Sequence, residues 1–120
     1  MVAVMARTAK RLYGPAAQTG SDITAYTAPS GTSLGSSRGA KVTCIIINNT
    51  ASSAKGAQIA VGTTGTIGNN FLPGGLQIPA LSEKVFYPDL PLEAGDAIHV
   101  LGTDGTVIIT IAGMEFINGS

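Results

Sequence analysis

Two stretches of this chain, "VTCIIIN" at 42–48 and "VIITIAGM" at 107–114, are apolar on both faces of the strand that their β-branched residues favour. In the first, Val42, Cys44 and Ile46 face one way and Thr43, Ile45 and Ile47 the other. In the second, Val107, Ile109 and Ile111 oppose Ile108, Thr110 and Ala112. A strand with one apolar face lines a core and shows its other face to water, whereas a strand with two must be covered twice. A chain of 120 residues has difficulty covering both faces alone. The two runs therefore predict a sandwich whose outer surface meets other subunits, most simply as a trimer or larger ring.

The remaining pattern agrees. Residues 22–28 alternate Ile23, Ala25 and Thr27 against Thr24 and Tyr26, and a turn follows at Pro29-Ser30-Gly31. Ala57, Ile59 and Val61 face inward with Gln58 outward. Phe71, Leu72, Leu76 and Ile78 anchor a turn-rich stretch, and Val85 and Tyr87 oppose Lys84 and Phe86. Asp104-Gly105, between "AIHVLG" and "VIITIAGM", predicts a hairpin joining the last two strands. No segment carries a sustained helical stripe. Roughly seven or eight short strands at intervals of about ten residues describe an all-β chain, a single β-sandwich of jelly-roll type. Residues 1–20 lack strand periodicity and break at Gly14-Pro15. They are expected to form an extended N-terminal arm that leaves a sandwich over 21–120 and packs on a neighbour.

Charge and residue type then narrow the chemistry. Charged residues are 12% of the chain and the formal net charge is +0, so no basic face is available to neutralise nucleic-acid phosphates. Arg7, Lys10 and Arg11 are the one local excess; they read as a solvated arm, or as a docking element for an acidic neighbour. Cys44 is the only cysteine, which rules out an intrachain disulfide, and within its apolar run it reads as a small hydrophobe. No run reaches the length of a membrane span, and the opening residues do not have the order of a secretory signal. The chain is thus expected to be made and assembled in a cytoplasm, and the Asn48-Asn49-Thr50 and Asn118-Gly119-Ser120 sequons read as chance matches.

His99 is the only histidine, too few for a metal site or for a general base serving a G-x-S-x-G serine. It reads as a strand residue at a polar edge or subunit contact. The carboxylates Glu83, Asp89, Glu93 and Asp96 sit beside Pro or Gly in turn positions, where such groups accept backbone N–H bonds. Asp96, after Gly95, is expected to turn the chain. The glycine-rich "VGTTGTIGNN" and "LPGGLQ" have no phosphate-loop spacing. With no Trp, only Tyr13, Tyr26 and Tyr87 could form a platform for sugar rings. The expectation is a chain without enzymatic activity: no catalytic, cofactor-binding or metal-binding residue, and no cofactor.

Read in order, "MARTAKRLYGPA", "DITAYTAPSGT", "VTCIIINNTASSA", "LQIPALSEKVFYPDLPLEAGDAIHV" and "VIITIAGMEF" together resemble a loose group of small tailed-bacteriophage virion proteins. The shared features are an Arg/Lys-Leu-Tyr-Gly-Pro start, a Tyr-Thr-x-Pro-x-Gly-Thr turn, an Ile-x-x-x-Asn-Thr strand end, an Ile-Pro-Ala step and a Leu-x-Ala-Gly-Asp-x-Ile turn. The similarity spans nearly the whole chain, with Met5 opening the family-like portion; "GTSLGSSRGAK" is longer and richer in Gly and Ser than the group's pattern. The resemblance implies a structural subunit of tail, neck or capsid surface, located in the virion, assembled in the host cytoplasm and partnered by itself and other virion proteins. It supplies no active-site residues. The alternative from a different class is a carbohydrate- or receptor-binding β-sandwich. Exposed aromatics on a concave face would favour that alternative, and a flat apolar face the first reading.

Overall fold

A computed structural model describes residues 4–28, 37–62, 70–72, 76–93 and 95–119. The turn expected at Pro29-Ser30-Gly31 lies outside the described residues, as do residues 63–69 of the glycine-rich stretch and the side chains of Phe71 and Leu72. The strands are β1 (Val4–Ala17), β2 (Ile23–Thr27), β3 (Ser37–Asn49), β4 (Lys55–Gly62), β5 (Asn70–Leu72), β6 (Gln77–Ile78), β7 (Glu83–Phe86), β8 (Leu90–Glu93), β9 (Ala97–Gly102) and β10 (Val107–Gly119). They form two antiparallel sheets. The first has the order β1-β10-β3 with β7 and β8 along the far edge of β3; the second has the order β2-β9-β4 with β5 and β6 along the far edge of β4. The pairs nest: first strand with last, second with next to last, then β3 with β7 and β8, and β4 with β5 and β6. This is a jelly-roll sandwich, an antiparallel ribbon wound so that its nested strand pairs alternate between the two sheets.

The core lies between the inward faces. Ile45, Ile47, Ile109 and Ile111 from the first sheet meet Ile59, Ile98 and Val100 from the second, with Ile78 and Leu92 closing the sides. Isoleucine suits this place twice, because its branched Cβ favours the strand and its full burial contributes roughly 1.5–3 kcal/mol. On β4 and β10 the inward and outward sets fall where the alternation puts them.

On β3 they do not. The register with β10 runs Cys44–Ala112 and then Val42–Gly113, so Thr43 is an extra residue, a β-bulge. The bulge reverses the phase of the strand, and Ala40 and Val42 join Ile45 and Ile47 in the core. The expected grouping of Val42 with Cys44 and Ile46 is corrected accordingly; those two are half-buried on the outer face. Gly113 is what lets the two backbones close here, since a Cβ at this position would lie 2.0 Å from the Lys41 carbonyl oxygen.

Two further expectations are corrected. Residues 4–17 are not an arm leaving the sandwich over residues 1–20. They form edge strand β1, registered on β10 from Val4–Gly119 to Ala17–Ile108, with shifts around Tyr13 and the cis Gly14-Pro15 bond. Those irregularities break the alternation that would have marked the segment as a strand. At Gly14 the backbone adopts φ 71°, and a Cβ would lie 2.2 Å from the Ile109 carbonyl oxygen. The Asp104-Gly105 turn is present, but it joins β9 in one sheet to β10 in the other and makes no hairpin. Its carboxylate takes the Thr106 N–H at 2.9 Å and the Lys55 ammonium at 2.9 Å, and also accepts from the Thr106 hydroxyl. Hydrogen bonds from Thr106 first, then Lys55, lower its pKa to about 2.

The sheets are tied where the second one ends. Glu115 of β10 accepts a hydrogen bond from Tyr26 of β2 at 2.5 Å and pairs with Lys10 of β1 at 3.0 Å. The Tyr26 bond and then the Lys10 bond hold the Glu115 carboxyl below its usual range, while burial and this carboxylate push the Tyr26 phenol up. Both carboxyls are depressed by folding, so the stability they contribute is present above the ordinary carboxylate pKa of about 4 and is lost as pH falls below it. We expect melting temperature to fall as pH is taken from about 4 to 2, and less steeply in Asp104→Asn or Glu115→Gln; an unchanged acid slope in both would count against these pairings. Gly113→Ala should cost about 1–3 kcal/mol or more by denaturant titration, because backbone and not a flexible side chain must move.

Candidate interaction surface

The residues weighed as chemical candidates are dispersed over the fold, and several have a structural occupation. Asp96 ends the turn between β8 and β9: its carboxylate accepts the Glu93 N–H at 2.9 Å, its N–H donates to the Glu93 carbonyl at 3.0 Å, and its carbonyl accepts from Ala28 at 2.8 Å. Gly95, at φ 86°, gives this turn its left-handed step. Asp96 therefore turns the chain, as its place after Gly95 indicates. Asp89 lies 2.5 Å from the Lys41 ammonium, an exposed pair worth at most about 1 kcal/mol. Among the described residues no three His, Cys, Asp or Glu side chains converge as metal ligands would.

His99 is buried on β9, with Ile98 and Val100 pointing to the core on either side. Its Nδ1 is 3.4 Å from the Thr24 hydroxyl and 3.5 Å from the Asp22 carboxylate, and its Nε2 has no hydrogen-bond partner among the described residues. Cys44 is half-buried on the outer face of the first sheet, opposite Ala112. Lys10 is engaged by Glu115, and Arg11 donates to the Gly14 carbonyl at 3.4 Å; the Arg7 side chain lies outside the described residues. The tyrosines do not gather into a platform. Tyr13 and Tyr26 pack against the core and engage Gln18 and Glu115, and only Tyr87 stands out, 77% exposed.

The outer face of the first sheet is different in character. Leu81, Val85 and Tyr87, at 74%, 39% and 77% exposure, are the exposed large apolar side chains among the described residues. All three lie on β7 or its flanks, the far edge of that sheet. Beside them on the same outward side are Ile46, opposite Val85, and then Thr110 of β10. Single exposed apolar residues are ordinary; here three share one edge, with exposed Glu83 between Leu81 and Val85, and a grouping of this kind is a candidate contact surface.

At the end of this row is a largely apolar recess of about 420 Å³, lined by Asn48, Asn49, Thr50, Leu81, Glu83 and Ile108 among others. Its walls are fixed from beneath. Asn49, 3% exposed, donates through Nδ2 to the carbonyls of Ser53 (2.8 Å), Ile78 (3.0 Å) and Pro79 (3.2 Å) and accepts the Ala51 N–H at 2.9 Å. The 79–82 turn is docked on the same strand end: Leu81 donates to the Ala51 carbonyl at 3.0 Å, and the Ser82 carbonyl accepts from Asn49 at 2.9 Å. Leu81 on the rim has φ 52°. The left-handed conformation costs a residue with a Cβ roughly 1–2 kcal/mol, and Gly or Asn would fill it with less strain.

Sequence reasoning set Val85 and Tyr87 on one side of a strand without saying which side faces out, and it missed Leu81 and Asn49. The available signal was Pro79-Ala80-Leu81-Ser82, a turn sequence with an apolar residue where Gly or Asn is usual. The role of Asn49 depends on carbonyls far along the chain and leaves no local trace.

Asp96→Asn should melt close to the wild type, because the amide oxygen still accepts the Glu93 N–H. Asp96→Leu should lose about 0.5–2 kcal/mol by analogy with lost helix caps. Equal melting of the two variants would show that the side-chain bond does not hold the turn. No protein-family model matches this chain, and no curated protein or solved structure matches it either.

Proposed function

We propose that this chain is a non-enzymatic structural protein of a bacteriophage particle, a self-associating subunit of the tail, neck or capsid surface. The observation that carries the reading is the row Leu81, Val85 and Tyr87 beside a preformed apolar recess on one edge of the sandwich. Apolar area gathered on one edge and fixed by buried hydrogen bonds is suited to a permanent neighbour, because little ordering entropy remains to be lost on docking. The charged fraction of 12% and the ordered resemblance to small tailed-phage virion proteins support the same reading. The jelly-roll fold is compatible with it by analogy alone, since capsid and lectin domains both use it.

The second reading, a carbohydrate- or receptor-binding sandwich, has one observation in its favour. A more polar recess of about 270 Å³ is lined by Gly56, Gln77, Gly102 and Thr103 among others, an uncharged set of amide, hydroxyl and backbone groups. It has no aromatic wall, and the one exposed tyrosine, Tyr87, is not part of its lining, so the structural reading is preferred.

Sedimentation of the purified chain at micromolar concentration should give a homo-oligomer, with a trimer or larger ring as the first expectation. Electron microscopy of particles labelled on this chain should place it at symmetric positions. A well-folded monomer that is absent from purified particles would sink the proposal.

A further inference from the structure

We propose that copies of this chain associate by exchanging β1, so that the β1 of each copy lies along β10 of another, reciprocally in a dimer or in turn around a ring. The inference rests on the self-association proposed above and names the segment that carries it. Every pairing of β1 described above is kept; what changes is the copy that supplies the strand.

β1 is built to be separable. It is the first strand of the chain and the edge of its sheet, and it is laddered on β10 alone. Among its described side chains only Leu12 is buried, so nearly all of the buried core belongs to the later strands. Its attachment is the backbone ladder from Val4–Gly119 to Ala17–Ile108, together with Leu12 and the Lys10–Glu115 pair.

The pairing itself identifies the occupant. A second copy offers the same β10 edge, the same Glu115 and the same seat for Leu12. The fit is also selective: at Gly14 a Cβ would lie 2.2 Å from the Ile109 carbonyl oxygen, so an unrelated strand in this register needs a glycine at that one place. The strand that meets this requirement on the page is β1, whichever copy it comes from.

The hinge lies between β1 and β2, where residues 18–22 carry the chain from one sheet to the other. Gln18 belongs with β1. Its N–H continues the ladder to the Val107 carbonyl at 2.9 Å, and its side-chain amide donates to the Tyr13 hydroxyl at 3.2 Å and the Ala16 carbonyl at 3.0 Å. Asp22, 3.5 Å from His99, stays with the second sheet. That leaves Thr19, Gly20 and Ser21, all exposed, with Gly20 at φ 84°. The bond from the Ser21 N–H to the Thr19 hydroxyl is local to this stretch. Glycine takes a left-handed or an extended φ at similar cost, so straightening at Gly20 frees the strand without breaking a bond to the rest of the fold. A short hinge loop between packed elements favours such exchange.

The test is oxidative cross-linking of the full chain with Cys44 replaced by serine. One variant carries Ala9→Cys and Met114→Cys, a second Arg11→Cys and Ala112→Cys; both pairs face each other across the β1–β10 ladder, within reach of a disulfide. Each is oxidised at a concentration where sedimentation shows association, then denatured and run on a non-reducing gel. Exchange places both partners of a bond on different copies, so the product should be a covalent dimer or higher multimer, while each single-cysteine control stays a monomer. Four Gly/Ser residues inserted after Gly20 should shift the product toward an intrachain bond at matched concentration, because a longer hinge lets β1 fold back on its own copy. Intrachain bonds alone in a chain that sediments as an oligomer would overturn the exchange and leave the self-association reading intact. Free thiols in both pairs, or multimers equally abundant in the single-cysteine controls, would also overturn it. A monomeric wild type throughout the concentration series would overturn both.

Discussion

The placement of β10 between β1 and β3 is the constraint on which the rest of the molecule depends. Its inward side chains Val107, Ile109 and Ile111 are fully buried, and its backbone is laddered on both sides. The pairings are distant in sequence: β10 meets the first strand at Val4–Gly119 and the third at Ile109–Ile47. The chain must therefore close its longest loops before the core is complete, and the entropy of that closure is offset only when both sheets are present. The fold is built from the outside of the sequence inward, with the termini paired first in the nesting and β4 with β5 and β6 last.

Small geometric adjustments make that nesting fit. The bulge at Thr43 reverses the phase of β3, which brings Ala40 and Val42 onto the same buried side as Ile45 and Ile47. Gly113 on β10 gives the facing backbone the clearance it needs, so bulge and glycine work as a pair. At one end of the core, Glu115, Tyr26 and Lys10 join three strands of two sheets through one carboxylate. Toward the strand end of β3, one buried amide, Asn49, satisfies carbonyls from two separate turns. A buried polar group with every partner in place fixes geometry without the cost of an orphan. Asn49 thereby couples the fold to the surface, because the turn it holds is the one that presents Leu81.

The candidate surface follows from the same logic. Both sheets have outward faces, but they are not alike. On the second, His99, Ala60 and Ala97 are buried; on the first, the outward residues of β3 and β10 are half-covered and the flank of β7 is bare. The functional reading, a subunit that completes its surface against a neighbour, rests on that asymmetry.

Much of this was legible in the sequence because strand alternation is a local property. The period-two pattern of β4 and β10, the lack of any helical stripe and the turn chemistry of Asp96 and Asp104 are set by residues that touch within a few positions of each other. The apolar excess on both faces of β3 and β10 is likewise visible in the sequence. What the tertiary structure alone decided is non-local: that β1 is an edge strand despite its broken pattern, that β9 and β10 lie in different sheets although Asp104-Gly105 joins them, and that β3 changes phase at Thr43. The same holds for the site, where Leu81 acquires its exposure and its left-handed backbone only because Asn49 and Ala51 hold its turn from across the fold. A pattern of side chains specifies which face is buried, but the partner of each strand is chosen by loop closure and packing over the whole chain.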